Sequence, residues 1–312
     1  MNLDQSAPVS SGHTDHYLKR HSVIHSMSRA NNPALYMCSG ETVTVETYDC
    51  FHDQLLDPQA VFEDIDFSKL NPATGPIYVE EAAPGTMLKI DILDILLNEW
   101  GCTEIDREYG TLADLVEQPV VRRIPVRQGK VHFSEHLRLD LHPMIGVIGV
   151  APEDGEVATD CPASHGGNMD CTLIAPGATL YLPVFVPGAL FALGDLHACM
   201  GDGEIGGCGL EVAGQVKLRL SILHQRVQGF PIVANATELA VIASEATIEN
   251  AWTLAVRQMY TLLRNETSLS SDEVIMLLSL CGNLAICQTV NPQKTVRMSI
   301  PLRYALDSGY SK

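Results

Sequence analysis

The chain has 312 residues, of which 46% are hydrophobic and 19% charged, so it holds enough apolar material for a large core and is not a disordered chain. Its 38 Asp and Glu exceed its 20 Lys and Arg, giving a formal net charge of −18. We expect no nucleic-acid or membrane partner, because a protein surface with this excess of negative charge repels the phosphate groups of nucleic acids and lipids. The nine cysteines include no Cys-x-x-Cys pair, which excludes a zinc ribbon. Residues 1–12 lack the apolar core of a signal peptide, so we expect a cytoplasmic protein.

The first part of the chain is predicted to consist mainly of strands. Apolar residues alternate over residues 42–49, 87–96 and 212–220, which is the two-residue period of a strand with one buried face. Pro-Gly and Gly-Pro turns recur between such segments, and residues 106–117 are compatible with either one short helix or a loop. Strands separated by turns rather than helices indicate a mainly β fold, with a β-sandwich or barrel-like body over residues 1–228.

The last part of the chain, residues 229–312, is predicted to form a smaller α+β region. Apolar residues over 248–263 recur at positions i, i+3, i+4 and i+7, which predicts a helix with one apolar face. Residues 270–273 read Ser-Ser-Asp-Glu, a capping box that begins a second helix, and Gly282 ends it. Alternation over residues 295–302 then predicts a closing strand.

The densest group of polar residues lies at 194–204, directly after an apolar run. Asp195 and His197 share one face of an extended segment, about 6–7 Å apart along it, which suits two ligands of one metal. The glycines around them allow Asp202 and Glu204 to fold back towards this pair. The alternative is a solvated acidic turn. The apolar neighbours favour a partly buried loop, where unpaired carboxylates are costly unless they hold a cation or a proton.

Two further loops carry polar groups that could join a site. Asp49 follows the first clear strand, and a glycine-rich loop holds Asn168 and Asp170. An asparagine amide offers both a donor and an acceptor to an amide ligand, and a neighbouring carboxylate can orient it. The chain has no Gly-x-Ser-x-Gly elbow and no phosphate-binding loop. If the protein is an enzyme, water activated by a metal and a carboxylate base is therefore the expected chemistry.

Several motifs follow one another along the chain, at residues 71–80 with Pro84-Gly85, 142–152, 166–170, 194–204 and 284–291. In these motifs and in their order the chain resembles the acetamidase/formamidase family. This resemblance implies a β-sandwich-like body with an α+β tail, a homo-oligomer, a divalent metal of the zinc or calcium type, and hydrolysis of small amides to carboxylate and ammonia. Glu81, Thr86, Met200 and Asn283 depart from the family pattern.

We therefore predict a metal-dependent amidohydrolase that acts on a small linear amide of the formamide or acetamide type. The competing hypothesis is a non-catalytic β-sandwich that binds a metal or a small polar ligand at the same loops. In the first hypothesis the carboxylate of Glu204 is the general base and Asp202 is the second catalytic carboxylate. The expected metal ligands are Asp49, Asp195 and His197, and the residues expected to position the amide are Asn168 and Asp170.

Overall fold

The structure is a computed structural model that describes residues 14–225 and 228–305, so the polar segment at residues 1–12 lies outside the described residues. The strands of the first half are β1 (Asp15–Leu18), β2 (Val23–Ile24), β3 (Ser26–Ser28), β4 (Leu35–Met37), β5 (Thr42–Thr47), β6 (Ala73–Val79), β7 (Met87–Leu97), β8 (Trp100–Ile105), β9 (Val120–Arg127), β10 (Lys130–Val131), β11 (Leu139–Asp140) and β12 (Met144–Gly149). Those of the second half are β13 (Glu156–Ala158), β14 (Gly166–Asn168), β15 (Thr179–Pro183), β16 (Phe191–His197), β17 (Gly214–Leu223), β18 (Ile232–Ala234), β19 (Glu238–Glu245), β20 (Asn283–Gln288) and β21 (Lys294–Pro301). The helices are α1 (Ile248–Glu266) and α2 (Ser271–Cys281).

Two curled sheets form the body of the protein. The larger sheet has nine strands in the order β1-β5-β17-β7-β15-β18-β19-β21-β20, and the second has six, ordered β14-β12-β16-β6-β2 with β4 beside β6. One apolar core joins side chains of β5, β7, β15 and β17 in the larger sheet to side chains of β6, β12 and β16 in the second. The predicted mainly β fold with a sandwich-like body is confirmed.

The alternation of β7 shows why the sequence folds this way. Leu88, Ile90 and Ile92 all point into the core between the sheets and are essentially fully buried. Met87 points to the opposite face, where it joins the apolar cluster under the helices. The strand pairs over its length with β17, and its second face is covered at Met87 but exposed at Leu93.

The two helices occur where they are predicted, and they pack on the end of the large sheet that contains β19 and β21. Thr247 caps α1 by accepting a hydrogen bond from the amide of Asn250, and α1 packs on β19 and β21. Ser270 and Glu273 form the predicted capping box at the start of α2: the Ser270 amide donates to Glu273 Oε2 over 2.7 Å, and the Glu273 amide donates to Ser270 Oγ over 3.3 Å. Within the described residues, 14–225 and 228–305, neither helix is long and apolar enough to cross a membrane.

The predicted boundary near residue 228 separates two apolar cores but not two sheets. The core between the sheets comes mainly from the body, whereas the cluster under the helices comes mainly from the tail. In the large sheet, however, β15 of the body pairs with β18 of the tail through Leu180 and Val233. Because the ladder continues without a break, the division into two units stays a prediction.

Residues 106–117 form a loop rather than a regular α-helix. The carboxylate of Asp106 accepts hydrogen bonds from the amides of Glu108 and Tyr109, which closes a turn. Gly110 then adopts a φ of +88°, and a Cβ at this position would lie 2.7 Å from the backbone of Gly206. The helical content of this segment is a short 3-10 turn at Ala113–Leu115.

Candidate active site

The last residues of β16 deliver two polar side chains into the middle of the fold. Asp195 and His197 are 2% and 1% exposed, although β16 is otherwise an apolar strand of the second sheet. The neighbouring strand β12 makes room for them with Gly146, where a Cβ would lie 2.3 Å from Asp195 Oδ2 and 2.5 Å from Asp170 Oδ1. Glycine is therefore required at position 146 for two carboxylates to meet there.

His197 lies between two carboxylates. Its Nε2 is 3.0 Å from Glu211 Oε1 and 3.4 Å from Asp195 Oδ1. Glu211 is held beside it by backbone pairing, because its amide donates to the Cys102 carbonyl and its carbonyl accepts from the Cys102 amide, both over 2.8 Å. Glu204 is also 6% exposed and shares this group of side chains. We call Asp170, Asp195, His197, Glu204 and Glu211 the buried centre.

Three acidic residues of the buried centre have backbone angles in the left-handed region. The φ angles are +46° for Asp170, +58° for Asp195 and +48° for Glu204. Residues other than glycine adopt this conformation rarely, and such residues cluster at functional sites because the surrounding structure must hold them there. The chain therefore accepts backbone strain at three separate points to bring these groups together.

The polar atoms of the buried centre converge, and several of them lack a well-formed hydrogen bond. Across residues 14–225 and 228–305, several of its buried atoms have no hydrogen-bond partner, among them Asp195 Oδ1, Glu204 Oε2, Glu211 Oε2 and both ring nitrogens of His197. Two sets of ligand atoms, one from Asp170, Asp195 and His197 and one from His197, Glu204 and Glu211, each lie within 4.8 Å of one another. Converging, unpaired oxygen and nitrogen atoms are what a cation site requires.

The charges of the buried centre are strongly coupled. Burial opposes protonation of His197, but the carboxylates of Glu211 and Asp195 outweigh it and raise its pKa well above the ordinary value. Burial and the nearby Asp195 raise the pKa of Asp170 to about 7. Burial also raises the pKa of Glu204 and of Glu211 well above the ordinary value. Four carboxylates with one imidazole need protons or a cation to share their charge.

A polar network holds the Asp170 side of the centre. Asn291 Nδ2 donates to Asp170 Oδ2 over 2.7 Å and to the Asn168 carbonyl over 3.0 Å. The amide of Asn168 is oriented by its partners: with its nitrogen towards the carboxylates it donates to Asp195 Oδ2 over 2.9 Å and to Asp170 over 3.2 Å. Gln288 in turn fixes the turn that carries Asn291 by accepting from its amide over 3.0 Å. The tail of the chain thus completes the centre.

A cavity of about 330 Å³ opens onto the centre. Asn168, Asp195, Glu204, Glu211 and Asn291 line its polar floor. The remaining lining contains several aromatic and aliphatic side chains together with Glu104 and Lys294. A small molecule in this cavity therefore lies beside the side chains of Asp195, Glu204 and Glu211.

The structure does not bring Asp202 into the centre. Its carboxylate forms a bidentate ion pair with Arg297, with distances of 2.8 Å from Nη1 to Oδ1 and 2.6 Å from Nη2 to Oδ2. Thr172 Oγ1 also donates to Asp202 Oδ1 over 2.8 Å. The side chain is 41% exposed and turns away from Glu204, because the positive φ of Gly203 reverses the chain between them.

Asp49 is buried, as expected for a site residue, but it lies beside the centre rather than within it. Its Oδ1 accepts from the Asp53 amide over 2.6 Å, and its Oδ2 is 3.7 Å from Cys102 Sγ. Burial raises its pKa to about 7. The next residue, Cys50, instead reaches the centre, with its Sγ within 4.8 Å of the carboxylates of Asp195 and Glu211.

Sequence reasoning missed Glu211 and Cys50 and did not assign a role to Asn291. Glu211 had a usable signal, since it is a single carboxylate between Leu210 and Val212 where an alternating strand begins. Cys50 had none, because a buried thiol after a strand is ordinary core composition. Asn291 belongs to a motif that was recognised, but its contact with Asp170 joins residues 121 positions apart.

Two of the positions that depart from the family pattern, Glu81 and Met200, lie away from the cavity floor. Glu81 is exposed at a turn with a φ of +72°. Met200 lines a second cavity of about 640 Å³ on the other side of Glu204, together with His142 and Cys199. Neither side chain lines the cavity that opens onto Asp195.

Comparison with known proteins places these features in one family. The family model of the Acetamidase/Formamidase family matches residues 18–158 and 154–257. The solved acetamidase of Bacillus halodurans is 44% identical, covers 94% of this chain and 99% of its own, and superposes with a TM-score of 0.92. A predicted acetamidase/formamidase of Thermoanaerobacter tengcongensis is 42% identical, with coverages of 96% and 100% and a TM-score of 0.94.

More distant relatives match part of their length. The formamidase of Methylophilus methylotrophus is 26% identical over 272 residues, which are 67% of this chain and 66% of that protein. The chain spans 58–66% of the length of the curated relatives that it matches. The long match to the family model and the two near full-length structural matches agree with the order of the motifs, and the chain therefore belongs to the acetamidase/formamidase family.

Proposed function

We propose that this protein hydrolyses the C–N bond of a linear amide to a carboxylate and ammonia, with a divalent cation held at the buried centre. The observation that carries the proposal is the convergence of four carboxylates and one imidazole at the floor of an open cavity. Three of these residues stand on left-handed backbone, which indicates a constrained functional site. The names of the relatives, acetamidase and formamidase, support an amide as the substrate.

The residues present fit a metal. We assign Asp195, His197 and Glu211 as its ligands, since His197 Nε2 lies 3.4 Å from Asp195 Oδ1 and 3.0 Å from Glu211 Oε1. When bound, a divalent cation polarises an amide carbonyl and makes water more acidic. An imidazole nitrogen among carboxylates suits zinc, because calcium takes oxygen ligands. Asp49 lies outside this group, so Glu211 replaces it in the proposed ligand set.

Glu204 is the proposed general base. Its carboxylate accepts a proton from water as the water oxygen forms its bond to the amide carbonyl carbon. The same proton then passes to the nitrogen as the C–N bond breaks, which leaves ammonia and the carboxylic acid, and the acid then loses its own proton to become the carboxylate. The pKa of Glu204 is raised by burial and by Asp170, and a carboxylate with a raised pKa is both a better proton acceptor and a competent donor near neutral pH.

The network of Asn168, Asp170 and Asn291 acts on the geometry of this chemistry. Asn168 donates to Asp195, and Asn291 donates to Asp170, so these amides fix the orientation of two carboxylates at the floor of the cavity. We assign Asn168 and Asp170 to the positioning of the amide, since Asn168 lines that floor and Asp170 accepts a hydrogen bond from Asn291, which also lines it. Such positioning reduces the entropy lost on reaching the transition state.

Ammonia release tests the proposal. Purified protein, loaded with zinc or with calcium and analysed for metal, is assayed on formamide, acetamide, propionamide and longer amides. We expect turnover that a chelator abolishes and that the metal restores. Absence of turnover on every amide by metal-loaded protein would contradict the proposal and favour a non-catalytic protein that binds a metal or a polar ligand.

We also expect a homo-oligomer. Helix α2 and the following strand expose apolar side chains, among them Met276, Leu280 and Leu284, which are 62%, 84% and 49% exposed. Exposed apolar patches of this kind commonly mark contacts between proteins. Light scattering on the purified protein measures the subunit count, and a monomer would contradict this expectation.

A further inference from the structure

The cavity above the buried centre has an apolar wall that the smallest amides do not need. Phe51, Phe62, Ile65, Phe67 and Leu70 form this wall, in the same cavity as the polar floor. Formamide has no acyl side chain and acetamide has one methyl group, so neither offers this wall more than a small apolar surface. The apolar wall is therefore relevant to which size and polarity of acyl group a bound amide has.

The local sequence dictates that these side chains face the cavity. Two 3-10 turns begin at Phe62 and Phe67, and in such a turn the residues at i and i+3 lie on the same side. This spacing brings Phe62 together with Ile65 and Phe67 together with Leu70. The polar residues between them are all exposed to solvent: Glu63, Asp64, Asp66, Ser68 and Lys69.

Hydrogen bonds hold this segment against the site. The amide of Asn71 donates to the Cys50 carbonyl over 2.8 Å, which joins the end of the segment to a residue beside the buried centre. Gln54 and Asp66 are bonded reciprocally, with the Asp66 amide donating to Gln54 Oε1 over 2.9 Å and Gln54 Nε2 donating to the Asp66 carbonyl over 3.3 Å. The apolar wall is thus a built surface of the cavity.

The wall is graded from a buried base to an open rim. Phe51 is 5% exposed at the base, and Phe67 is 53% exposed at the rim. The rings of Phe62 and Phe67 meet at 67° with centroids 5.9 Å apart, an edge-to-face pair. The cavity volume of about 330 Å³ is at the lower end of the range of about 300–1,000 Å³ for pockets that enclose drug-sized ligands.

We infer that the acyl group of the substrate is apolar and of aromatic size, so that the preferred substrates are primary amides of aryl or arylalkyl carboxylic acids. The amide lies on the polar floor at Glu204 and Asn168, and the ring lies against Phe51, Phe62 and Phe67. Water leaves both the half-exposed rim and the ligand ring on binding, which favours a large acyl group over a methyl group. This inference rests on the proposed hydrolysis of linear amides.

The test compares phenylacetamide with acetamide on metal-loaded protein. We expect kcat/KM to be about 10²-fold higher or more for phenylacetamide, since each methylene in an apolar pocket changes kcat/KM by about 10-fold or more. Phe67→Ala, at a half-exposed position where the fold tolerates truncation, should lower the ratio of the two kcat/KM values by about tenfold. The matched control is Trp252→Ala, which removes another exposed aromatic ring, on α1, and should leave the ratio unchanged.

The outcomes separate this inference from the proposed function. Equal or higher kcat/KM for acetamide would overturn the inference and leave amide hydrolysis standing. No turnover on either amide would overturn the hydrolysis, and calorimetric binding of the two amides would then decide the inference. If phenylacetamide binds at least about tenfold more tightly than acetamide, and Phe67→Ala removes this difference, the apolar acyl-group pocket is supported. Equal binding of the two amides would overturn the inference.

Discussion

Asp202 and Glu204 lie two residues apart in the chain but belong to regions with opposite electrostatics. The pKa of Asp202 is held below its ordinary value, although burial opposes this, because Arg297 and Thr172 donate to its carboxylate. Glu204 points into the buried centre, where burial and Asp170 raise its pKa, and its Oε2 lacks a hydrogen-bond partner within the described part of the chain. A carboxylate with its own cation stabilises the structure, whereas a buried carboxylate without one marks a place for a proton or a ligand.

The largest effect is expected from His197→Ala, which removes the group at the middle of the centre. If the imidazole is a metal ligand, metal content and ammonia release fall together to background, because the remaining carboxylates repel one another without it. Elemental analysis and the ammonia assay on the same preparation check this. Retention of metal and near wild-type turnover would show that the centre is not the site.

The next effect is expected from Glu204→Gln, which keeps the shape of the side chain but cannot accept a proton. Turnover should fall by about 10²–10⁴-fold while the metal stays bound. Asp202→Asn is the matched control on the same loop, since it makes the same chemical change outside the centre. A Glu204→Gln protein that loses its metal would move Glu204 into the ligand set and remove the distinction between ligand and base.

Asp202→Asn should affect stability rather than catalysis. Loss of the bidentate pair with Arg297 is expected to lower the free energy of unfolding by about 1 kcal/mol, a modest value because the Asp202 side chain is 41% exposed and solvent screens the pair. Turnover should change by less than about threefold, within what a small shift of the loop allows. Thermal unfolding and ammonia release measure the two quantities, and a turnover loss as large as that of Glu204→Gln would return Asp202 to the catalytic group.

The same ion pair predicts a pH dependence of stability. Because the folded pKa of Asp202 lies below that of an unfolded aspartate, about 3.9, the pair stabilises the protein fully above that pH. The contribution is lost as the pH falls below about 4 through the folded pKa. Denaturant unfolding between neutral pH and pH 3 should show this loss in the wild type, and Asp202→Asn should lack that part of the dependence.

The smallest effect is expected from Asp49→Asn. Burial raises the pKa of Asp49 to about 7, so its carboxyl is already partly neutral at physiological pH, and an amide resembles the neutral form. Since Asp49 contacts the Asp53 amide and Cys102 rather than the centre, metal content should not change. Elemental analysis decides this, and a protein depleted of metal would restore Asp49 as a ligand.

Much of the fold follows from short-range pattern. The two-residue period at Leu88, Ile90 and Ile92 and the capping box at Ser270 are read from a few neighbouring residues, and both occur as predicted. The sequence pattern did not decide between a helix and a loop for residues 106–117. Their conformation depends on the close approach of Gly110 to the backbone of Gly206, which lies far along the chain. Local periodicity cannot report such an approach.

The candidate site, like the fold, was predictable from the sequence only in part. The sequence by itself determined that Asp195 and His197 belong together, since residues two apart on one strand share a face, and it indicated that the glycine-rich loops carry polar groups. The tertiary structure alone decided which carboxylates join them. Glu211 enters by backbone pairing with Cys102, and Asp202 is withdrawn by Arg297, 95 residues further along the chain. The charge and burial around a carboxylate are set by such distant partners, and no local pattern contains them.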